Sequence, residues 1–164
     1  MDEEKRVEIF TPEEESFMRE ALRLAAEAAA EGEVPVGAVA VWDGKIVGRG
    51  RNRRETVKNA LSHAEIEALN EACETLGGWR LHRLDLYVTL EPCPMCAGAC
   101  WSARVKRIFY GATDPKAGAY GSVLDLNAYP LNHHPEIHPG LLEKEAAALL
   151  SAFFADLRQK NKQK

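Results

Sequence analysis

Neither a long apolar run nor an internal repeat occurs in this sequence of 164 residues, and no linker or low-complexity stretch divides it. A helix that crosses a bilayer needs about 20 consecutive apolar residues, so we expect no membrane-spanning segment and no membrane partner. The first six residues, Met1 to Arg6, are charged and contain no apolar signal core. The sequence therefore predicts a single cytoplasmic domain over residues 1–164.

Cysteine is also scarce, with four residues in the chain. Two of them, Cys93 and Cys96, have the spacing of metal ligands, which leaves too few for the disulfide framework of a small secreted protein. The hydrophobic fraction of 46% is instead sufficient for an ordinary core. We expect a reducing compartment, in which Cys73 and Cys100 are small buried hydrophobes.

Positive charge is not in excess, and a net charge of −4 does not by itself indicate nucleic-acid binding. The distribution is uneven, however, because basic residues form three clusters: Arg49, Arg51, Arg53 and Arg54; Arg104, Lys106 and Arg107; and the tail 158–164. Such clusters are the local footprint that a phosphate backbone needs, although charge runs are more often solvated faces. We expect the basic tail from about residue 158 to be mobile.

The most informative pattern is His63-Ala64-Glu65, followed 27 residues later by Pro92-Cys93-Pro94-Met95-Cys96. It offers one imidazole and two thiolates as zinc ligands. A structural zinc site is closed by four protein ligands, whereas a hydrolytic site keeps three and leaves the fourth position for water, whose pKa falls from about 16 to about 7. Glu65 can then take the proton of that water and return it to the substrate, which is general acid/base catalysis.

A closed structural site is the alternative, because Cys100 falls on the same helical face as Cys93 and Cys96. If the helix is continuous, the seven residues from Cys93 to Cys100 span about 10 Å at about 1.5 Å per residue. Two thiolates that far apart cannot both lie about 2.3 Å from one ion. A noncatalytic zinc module that binds RNA or a partner is a further alternative, but it needs neither Glu65 nor an open position.

Both groups of ligands are predicted at helix N-termini. Ser62 is a candidate N-cap before an apolar periodic run, and Pro94 suits the first helical position after Cys93. The helix dipole and the free N–H groups there favour anions, so they lower the pKa of the thiols and help to hold a zinc-bound hydroxide.

The rest of the pattern alternates helix and strand. Thr11 and Pro12 open a first helix that Gly32 ends, with an inner stripe of Phe17, Ala21, Leu24, Ala25 and Ala28. Strands are predicted at Val36–Trp42, Lys45–Arg51, Leu84–Leu90 and Val105–Tyr110, and further helices at about Ser62–Leu76, Cys93–Ala103 and Gly140–Lys160. Residues 111–140 are predicted as loop with one short helix near Val123. This order implies a mixed sheet between helix layers, with the zinc site at the carboxyl ends of strands.

Several further segments accompany the metal pattern: Glu33–Ala38, Gly50–Asn52, Val88–Ala99, Gly111–Ala112, Asp114–Gly118 and Asn132–His133. An H-x-E followed by P-C-x-x-C is the pattern of zinc nucleobase deaminases. With the additional segments, the chain resembles the bacterial tRNA-specific adenosine deaminases, which belong to the cytidine deaminase-like superfamily, from about Pro12 to Arg158.

The resemblance implies an α/β fold, a three-layer α/β/α sandwich with a mixed, mostly parallel five-stranded sheet. It implies one Zn²⁺ per chain, a homodimer, and hydrolytic deamination of the wobble adenosine to inosine in the tRNA anticodon loop, chiefly of an arginine tRNA. By the same resemblance, zinc is bound by His63, Cys93 and Cys96, and Glu65 is the proton shuttle. The implied substrate contacts are Asn52, Val36 and Ala64 at the flipped base, and Asp114 and Phe154 at the anticodon loop.

Some of these residues also have ordinary structural explanations. Asn52 could cap a turn at the end of a strand, and Asp114 before Pro115 is a common turn starter. His133, His134 and His138 could suggest a second metal site, but they lack partners at ligand spacing. The alternative function is deamination of free guanine or cytosine on the same fold. The acidic net charge favours that alternative, whereas the arginine-bearing strand and Asn52 favour RNA.

Overall fold

The computed structural model describes residues 7–164, so the charged segment at Met1 to Arg6 lies outside the described residues. In chain order the elements are α1 (Pro12–Ala30), β1 (Gly37–Trp42), β2 (Lys45–Arg51), α2 (Ala64–Leu76), β3 (Leu84–Leu90), α3 (Pro94–Ala103), β4 (Arg107–Ala112), a 3₁₀ turn (Leu126–Ala128), β5 (Glu136–Pro139) and α4 (Glu143–Lys162). No helix within the described residues combines the length and the apolar character that crossing a membrane requires.

Local signals at the start of α1 account for its position. Thr11 and Glu14 form a capping box, in which Thr11 Oγ1 accepts from the Glu14 N–H at 3.1 Å and Glu14 Oε1 accepts from the Thr11 N–H at 2.9 Å. Pro12 occupies the first turn, where its missing N–H leaves no bond unmade. The predicted inner stripe is confirmed at Ala21, Leu24, Ala25 and Ala28, whereas Phe17 is only partly buried and Met18, which the pattern did not include, is buried.

The five strands form one mixed sheet in the order β2-β1-β3-β4-β5. Strand β1 is antiparallel to both β2 and β3, whereas β3, β4 and β5 pair in parallel. Four of the five strands therefore run in one direction. Asp43 and Gly44, at φ 51° and 75°, make the turn between β1 and β2, because a two-residue hairpin loop of this twist needs positive φ at both positions.

Helices cover both faces of the sheet, as the predicted three-layer sandwich requires. Helices α2 and α3 pack on one face, over a core that includes Leu69, Leu86 and Ile108. Helices α1 and α4 cover the other face, where Tyr87 stacks on Phe109 with ring centroids 4.5 Å apart.

Glycines in β2 let α2 lie directly on the sheet. A Cβ atom built on Gly48 would stand 2.2 Å from the carbonyl oxygen of Ala68, and one on Gly50 would stand 2.1 Å from that of Ala64. Both contacts are with helix backbone, which cannot move aside as a flexible side chain would. The absence of two side chains therefore sets the height of α2 above the sheet, and with it the position of the residues at its N-terminus.

Several element boundaries differ from the sequence-based prediction, and two of the differences have identifiable causes. Helix α2 begins at Ala64 with His63 as N-cap, and Ser62 is not the cap. The His63 side chain makes no capping bond because its ring faces the two sulfurs of Cys93 and Cys96. Strand β4 begins at Arg107, because the Val105 N–H is taken by the carbonyl oxygen of Cys100 in α3.

The segment 111–140 is the part that the local pattern described least well. It contains the edge strand β5 at Glu136–Pro139, which the pattern assigned to loop, and its short helix lies at Leu126–Ala128 instead of near Val123. Helix α4 extends through Lys162, so residues 158–162 are exposed helix. The mobility of this basic end stays a prediction.

We expect the substitution Gly50→Ala to destabilise the fold by about 1–3 kcal/mol or more, because the added methyl group must displace helix backbone. Gly78→Ala is the matched control, since a Cβ there meets nothing within 4 Å, and it should change stability by less than about 0.5 kcal/mol. Urea unfolding of both variants measures the difference. Equal stability of the two would show that the close approach of α2 to β2 does not constrain the fold.

Candidate active site

Two helix N-termini meet at one edge of the sheet and bring the predicted metal ligands together. His63 is the N-cap of α2, and Cys93 is the N-cap of α3, which Pro94 opens as predicted. Strand β3 ends three residues before Cys93 and so delivers the chain to this edge. The ligand atoms of His63, Cys93 and Cys96 all lie within 4.8 Å of one another.

The spacing of these three atoms fits a tetrahedral metal ion. The Nδ1 atom of His63 lies 3.7 Å from the sulfur of Cys93 and 3.5 Å from that of Cys96. Zinc bonds of about 2.0–2.1 Å to nitrogen and about 2.3 Å to sulfur, at tetrahedral angles, place nitrogen and sulfur about 3.6 Å apart. The donor set therefore fits zinc, and the fit uses Nδ1 of the imidazole.

Cys100 does not join this group. Of the described residues, only the set of His63, Cys93 and Cys96 has the geometry of a metal site, and Cys100 is outside it. Cys100 is completely buried, and burial raises the pKa of its thiol. It behaves as the small hydrophobe that the sequence predicted, so residues 7–164 offer three candidate ligands in this group and no fourth.

Protons and a cation compete for the ligand atoms. A hydrogen bond from the Cys96 thiol and the neighbouring His63 lower the pKa of Cys93 to about 4, while the same contact with Cys93, together with burial, raises the pKa of Cys96. Two adjacent thiolates repel each other unless a positive charge lies between them. A dication bound by both sulfurs supplies that charge, which is why metal binding releases protons from such sites.

Glu65 is buried beside the ligands and is not one of them. Only 4% of the residue is exposed, it lines the same pocket as His63, and its carboxylate is outside the metal-binding group. Burial raises the pKa of Glu65, because the charged form loses its hydration. A carboxylate with these properties can accept and return a proton near neutral pH.

A second buried carboxylate, Glu91, also lines the pocket, but its oxygens are occupied. They accept hydrogen bonds from three backbone N–H groups and one hydroxyl group, given by Asp114, Tyr120 and Ser122. Four donors use the acceptor capacity of a carboxylate almost completely. Of the two carboxylates, Glu65 is therefore the one that remains available for proton transfer.

The pocket above the ligands has a volume of about 190 Å³. This is below the range of about 300–1,000 Å³ that is typical of pockets for drug-sized ligands, so it suits a compact group such as one nucleobase. Four of the five predicted substrate contacts line it, and Phe154 does not. Its walls are formed by Val34, Val36, Asn52, Arg54, His63, Ala64, Glu65, Leu90, Glu91, Cys93, Asp114 and Ala117.

Phe154 lies in a different groove on α4. This groove is lined by Lys116, Leu150, Ser151, Phe154 and Arg158. The Phe154 side chain is 40% exposed, whereas its neighbour Phe153 is partly buried, as expected for adjacent helical residues. Lys116 of this groove and Ala117 of the pocket are adjacent in the chain, so the loop 114–117 borders both.

Asn52 caps a turn and retains hydrogen-bonding capacity. Its Nδ2 atom donates to the Val34 carbonyl oxygen at 3.3 Å, and its Oδ1 atom accepts from the Arg54 N–H at 3.3 Å. An amide side chain has two N–H donors and two oxygen lone pairs, so one of each remains for a ligand. Asn52 can therefore cap the turn and hydrogen-bond to a base at the same time.

The basic cluster in β2 and directly after it is largely neutralised by acidic residues in or directly after α1 and in α2. Arg49 pairs with Glu20 at 3.1 Å, Arg51 with Glu31 at 2.8 Å, and Arg53 with Glu67 at 3.8 Å. Arg54 makes no ion pair within residues 7–164, and it lies at the pocket. The sequence indicated a cluster of four arginines, but the structure leaves mainly Arg54 available to an anionic ligand.

The three histidines of the segment 111–140 have other partners. His133 and His134 contact the carbonyl oxygens of Val105 and Tyr129, and His138 pairs with the carboxylates of Glu8 and Glu136. The described part of the chain contains no second group with metal-site geometry.

Comparison with known proteins gives consistent matches over most of the chain. Residues 12–158 match the MafB19-like deaminase family. The tRNA-specific adenosine deaminase of Bacillus subtilis (strain 168) is 48% identical over 151 residues, covering 92% of this chain and 94% of the relative. That of Agrobacterium fabrum (strain C58) is 47% identical over 143 residues, covering 87% and 94%.

Solved structures of deaminases superpose on this chain. A tRNA:A34 deaminase, studied for A-to-I editing at the wobble position, superposes with a TM-score of 0.80 at 46% identity, over 82% of this chain and 99% of that one. Guanine deaminase from Bacillus subtilis superposes with a TM-score of 0.59 at 33% identity, over 72% and 86%.

We expect Cys100→Ala to retain one metal ion per chain, because Cys100 lies outside the ligand group. Cys96→Ala should lose most of the metal, since two protein ligands hold zinc much less tightly than three. Both substitutions remove a buried thiol group from the same helix, so each variant serves as the control for the other. Elemental analysis of the purified proteins measures the metal content. Loss of metal from Cys100→Ala would show that Cys100 is a ligand and would support the alternative of a closed structural site.

Proposed function

Because the chain belongs to the tRNA-specific adenosine deaminases, we propose that it hydrolyses the wobble adenosine of a tRNA anticodon to inosine, chiefly in an arginine tRNA. The observation that carries this proposal is the free carboxylate of Glu65 beside a three-ligand group in a pocket of nucleobase size. Relatives that are 42–48% identical over most of the chain are tRNA-specific adenosine deaminases, which supports the substrate class.

The proposed cofactor is one Zn²⁺ per chain, held by His63, Cys93 and Cys96. When bound, it lowers the pKa of its water to about 7, which supplies a nucleophile at neutral pH. Glu65 would take one proton of the attacking water and give it to N1 of the adenine ring as the water oxygen bonds to C6. The same carboxylate would then take the remaining proton from the new C6 hydroxyl group and give it to the amino nitrogen, so that the C6–N bond breaks and inosine and ammonia are released.

Recognition of the base is assigned to the pocket walls. Asn52 has one donor and one acceptor available for the purine edge, and Val36 and Ala64 offer apolar surface to the ring. The base must leave its stack to enter, and a nucleotide in a single-stranded loop does so at the lowest cost. An anticodon loop therefore suits this pocket better than a duplex.

Contacts with the rest of the loop are assigned to the pocket and to the groove on α4. Arg54 at the pocket, and Lys116 and Arg158 in the groove, offer positive charge to phosphates. Phe154 lines the same groove, where a base that stacks on it would gain about 1–3 kcal/mol. Asp114 lines the pocket, two residues before Lys116.

We also propose a homodimer that uses the apolar face of α2 and α3. A groove on this face is lined mainly by apolar side chains, among them Ile66, Leu69, Cys73, Trp79, Ala99 and Ala103. Trp79 is 52% exposed and Leu61, in the loop before α2, is 58% exposed. Exposed apolar surface of this kind is typical of protein interfaces. A cytoplasmic location is proposed because the substrate is tRNA.

The function is tested by incubating the purified protein with an anticodon stem-loop that carries adenosine at the wobble position, and measuring inosine. Glu65→Gln should retain its metal while activity falls about 10²- to 10⁴-fold, since the amide cannot shuttle protons. Free adenosine, guanine and cytosine are the comparison substrates, and each should react far more slowly than the stem-loop. Rapid turnover of guanine or cytosine, without reaction of the stem-loop, would favour the free-base deaminase.

Asn52→Ala should lower kcat/KM for the stem-loop about tenfold or more with metal content unchanged. The reason is that a purine edge left without its partner in a buried site loses about 1–3 kcal/mol. Asn59→Ala is a suitable control, because Asn59 also caps a turn, through the Leu61 N–H, in an exposed position. If the two variants lose the same small amount of activity, Asn52 is only a turn cap.

A further inference from the structure

The carboxylate of Glu91 is the centre around which the loop 113–122 is built. Glu91 is 1% exposed and stands at the end of β3, two residues before Cys93. Its Oε1 atom accepts from the Asp114 N–H at 3.1 Å and from the Ser122 hydroxyl. Its Oε2 atom accepts from the N–H groups of Tyr120 and Ser122 at 3.1 and 3.2 Å.

The loop packs tightly around the Glu91 carboxylate. A Cβ atom on Gly118 would lie 2.3 Å from Oε2 of Glu91, so a side chain at this position would push against the carboxylate. The Ala119 N–H donates to the Pro92 carbonyl oxygen at 2.9 Å, beside the same carboxylate. The loop is thus attached directly to the segment that leads to Cys93.

The attachment determines where one wall of the pocket lies. Asp114, whose N–H is bound by Glu91, lines the pocket together with Ala117. Asp114 Oδ1 accepts in turn from the N–H groups of Lys116 and Ala117 at 3.0 and 3.3 Å, so these residues move as one unit. A shift of the Glu91 carboxylate is therefore transmitted to the wall that faces the substrate.

The fold itself does not depend on this carboxylate alone. Ala119 and Tyr120 are buried in the core beneath the loop, at 0% and 6% exposure. Packing of these two residues keeps the loop attached when a hydrogen bond to Glu91 is lost. The loss then changes the position of the wall more than the stability of the chain.

We propose that Glu91 is a positioning residue for the reaction, which orients the base by holding the wall formed by Asp114 and Ala117. The assignment rests on the proposed function, because it concerns how the pocket of that function binds its substrate. Glu91 acts through the loop, and Glu65 performs the proton transfer.

Glu91→Gln tests the assignment with a side chain of nearly the same shape. In the variant one carboxylate oxygen becomes an amide NH₂ group. This group must face either the Asp114 N–H and the Ser122 hydroxyl, or the backbone N–H groups of Tyr120 and Ser122. The first orientation is preferred, because a hydroxyl can also accept a hydrogen bond. It leaves the Asp114 N–H without a partner. We expect KM for the stem-loop to rise about tenfold or more, kcat to change less than about threefold, and metal content to stay at one ion per chain.

Gly118→Ala perturbs the same contact from the loop side and leaves Glu91 in place. It should also raise KM, and the double variant should be no worse than about the more severe single variant, because both substitutions act on one contact. Gly98→Ala is the matched control, since a Cβ there meets nothing within 4 Å. If Glu91→Gln does not fold, the comparison of Gly118→Ala with Gly98→Ala decides the question.

Hydrogen exchange separates positioning from a purely structural role. Exchange of the Asp114 amide should accelerate in Glu91→Gln while the core strands remain protected. Faster exchange with unchanged KM would overturn the proposal, and so would loss of metal with a parallel fall in kcat, which would mean that Glu91 acts through Cys93. Wild-type protein that leaves the stem-loop unchanged contradicts the proposed function instead. In that case the same kinetic comparison is made with the free base that the wild type converts.

Discussion

The convergence of two helix N-termini at one sheet edge is the constraint on which the site depends. Helix α2 lies against β2 with no side chain between them at Gly48 and Gly50, and α3 begins immediately after the turn that follows β3. These two placements bring one imidazole and two thiols within 4.8 Å of one another. A change in the height of α2 would move His63 and Glu65 together, relative to Cys93. Backbone packing therefore positions both the proposed metal ligands and the proposed proton shuttle.

Two buried glutamates line the pocket, and a third, Glu33, directly precedes the lining residue Val34; their hydrogen bonds differ. Glu33 accepts from the N–H groups of Glu55 and Thr56 and from the Thr56 hydroxyl, and so fixes the loop that carries Arg54. Glu91 fixes the loop 113–122 in the same way. Glu65 is as buried as the others, but it is not committed to a loop in this way, and burial raises its pKa. The two committed carboxylates hold loops beside the pocket, and the third is the one available for the proposed proton transfer.

Features with local causes could be predicted from the sequence, and features that depend on distant partners could not. The capping box at Thr11 and the turn at Asp43 have their determinants within a few residues, and the structure contains both. The ligand pattern consists of two short motifs, each of them local, and the structure brings the two together. Strand β5 has four residues, including a proline, and forms only because β4 offers an edge. The acidic partners of the β2 arginines come mainly from α1, and this pairing could not be predicted from the local sequence. The role of Glu91 was missed because its donors are backbone N–H groups 23 to 31 residues later, which leave no pattern in the sequence.

An open coordination position distinguishes a hydrolytic zinc site from a structural one, and it is the basis of the proposed reaction. X-ray absorption at the zinc K edge of the purified protein measures the ligands directly. We expect two sulfur neighbours at about 2.3 Å and two lighter neighbours at about 2.0–2.1 Å, of which His63 supplies one and the protein does not supply the other. Three or four sulfur neighbours would mean that Cys100 or another thiol closes the site, and would contradict the assignment of this pocket to hydrolysis.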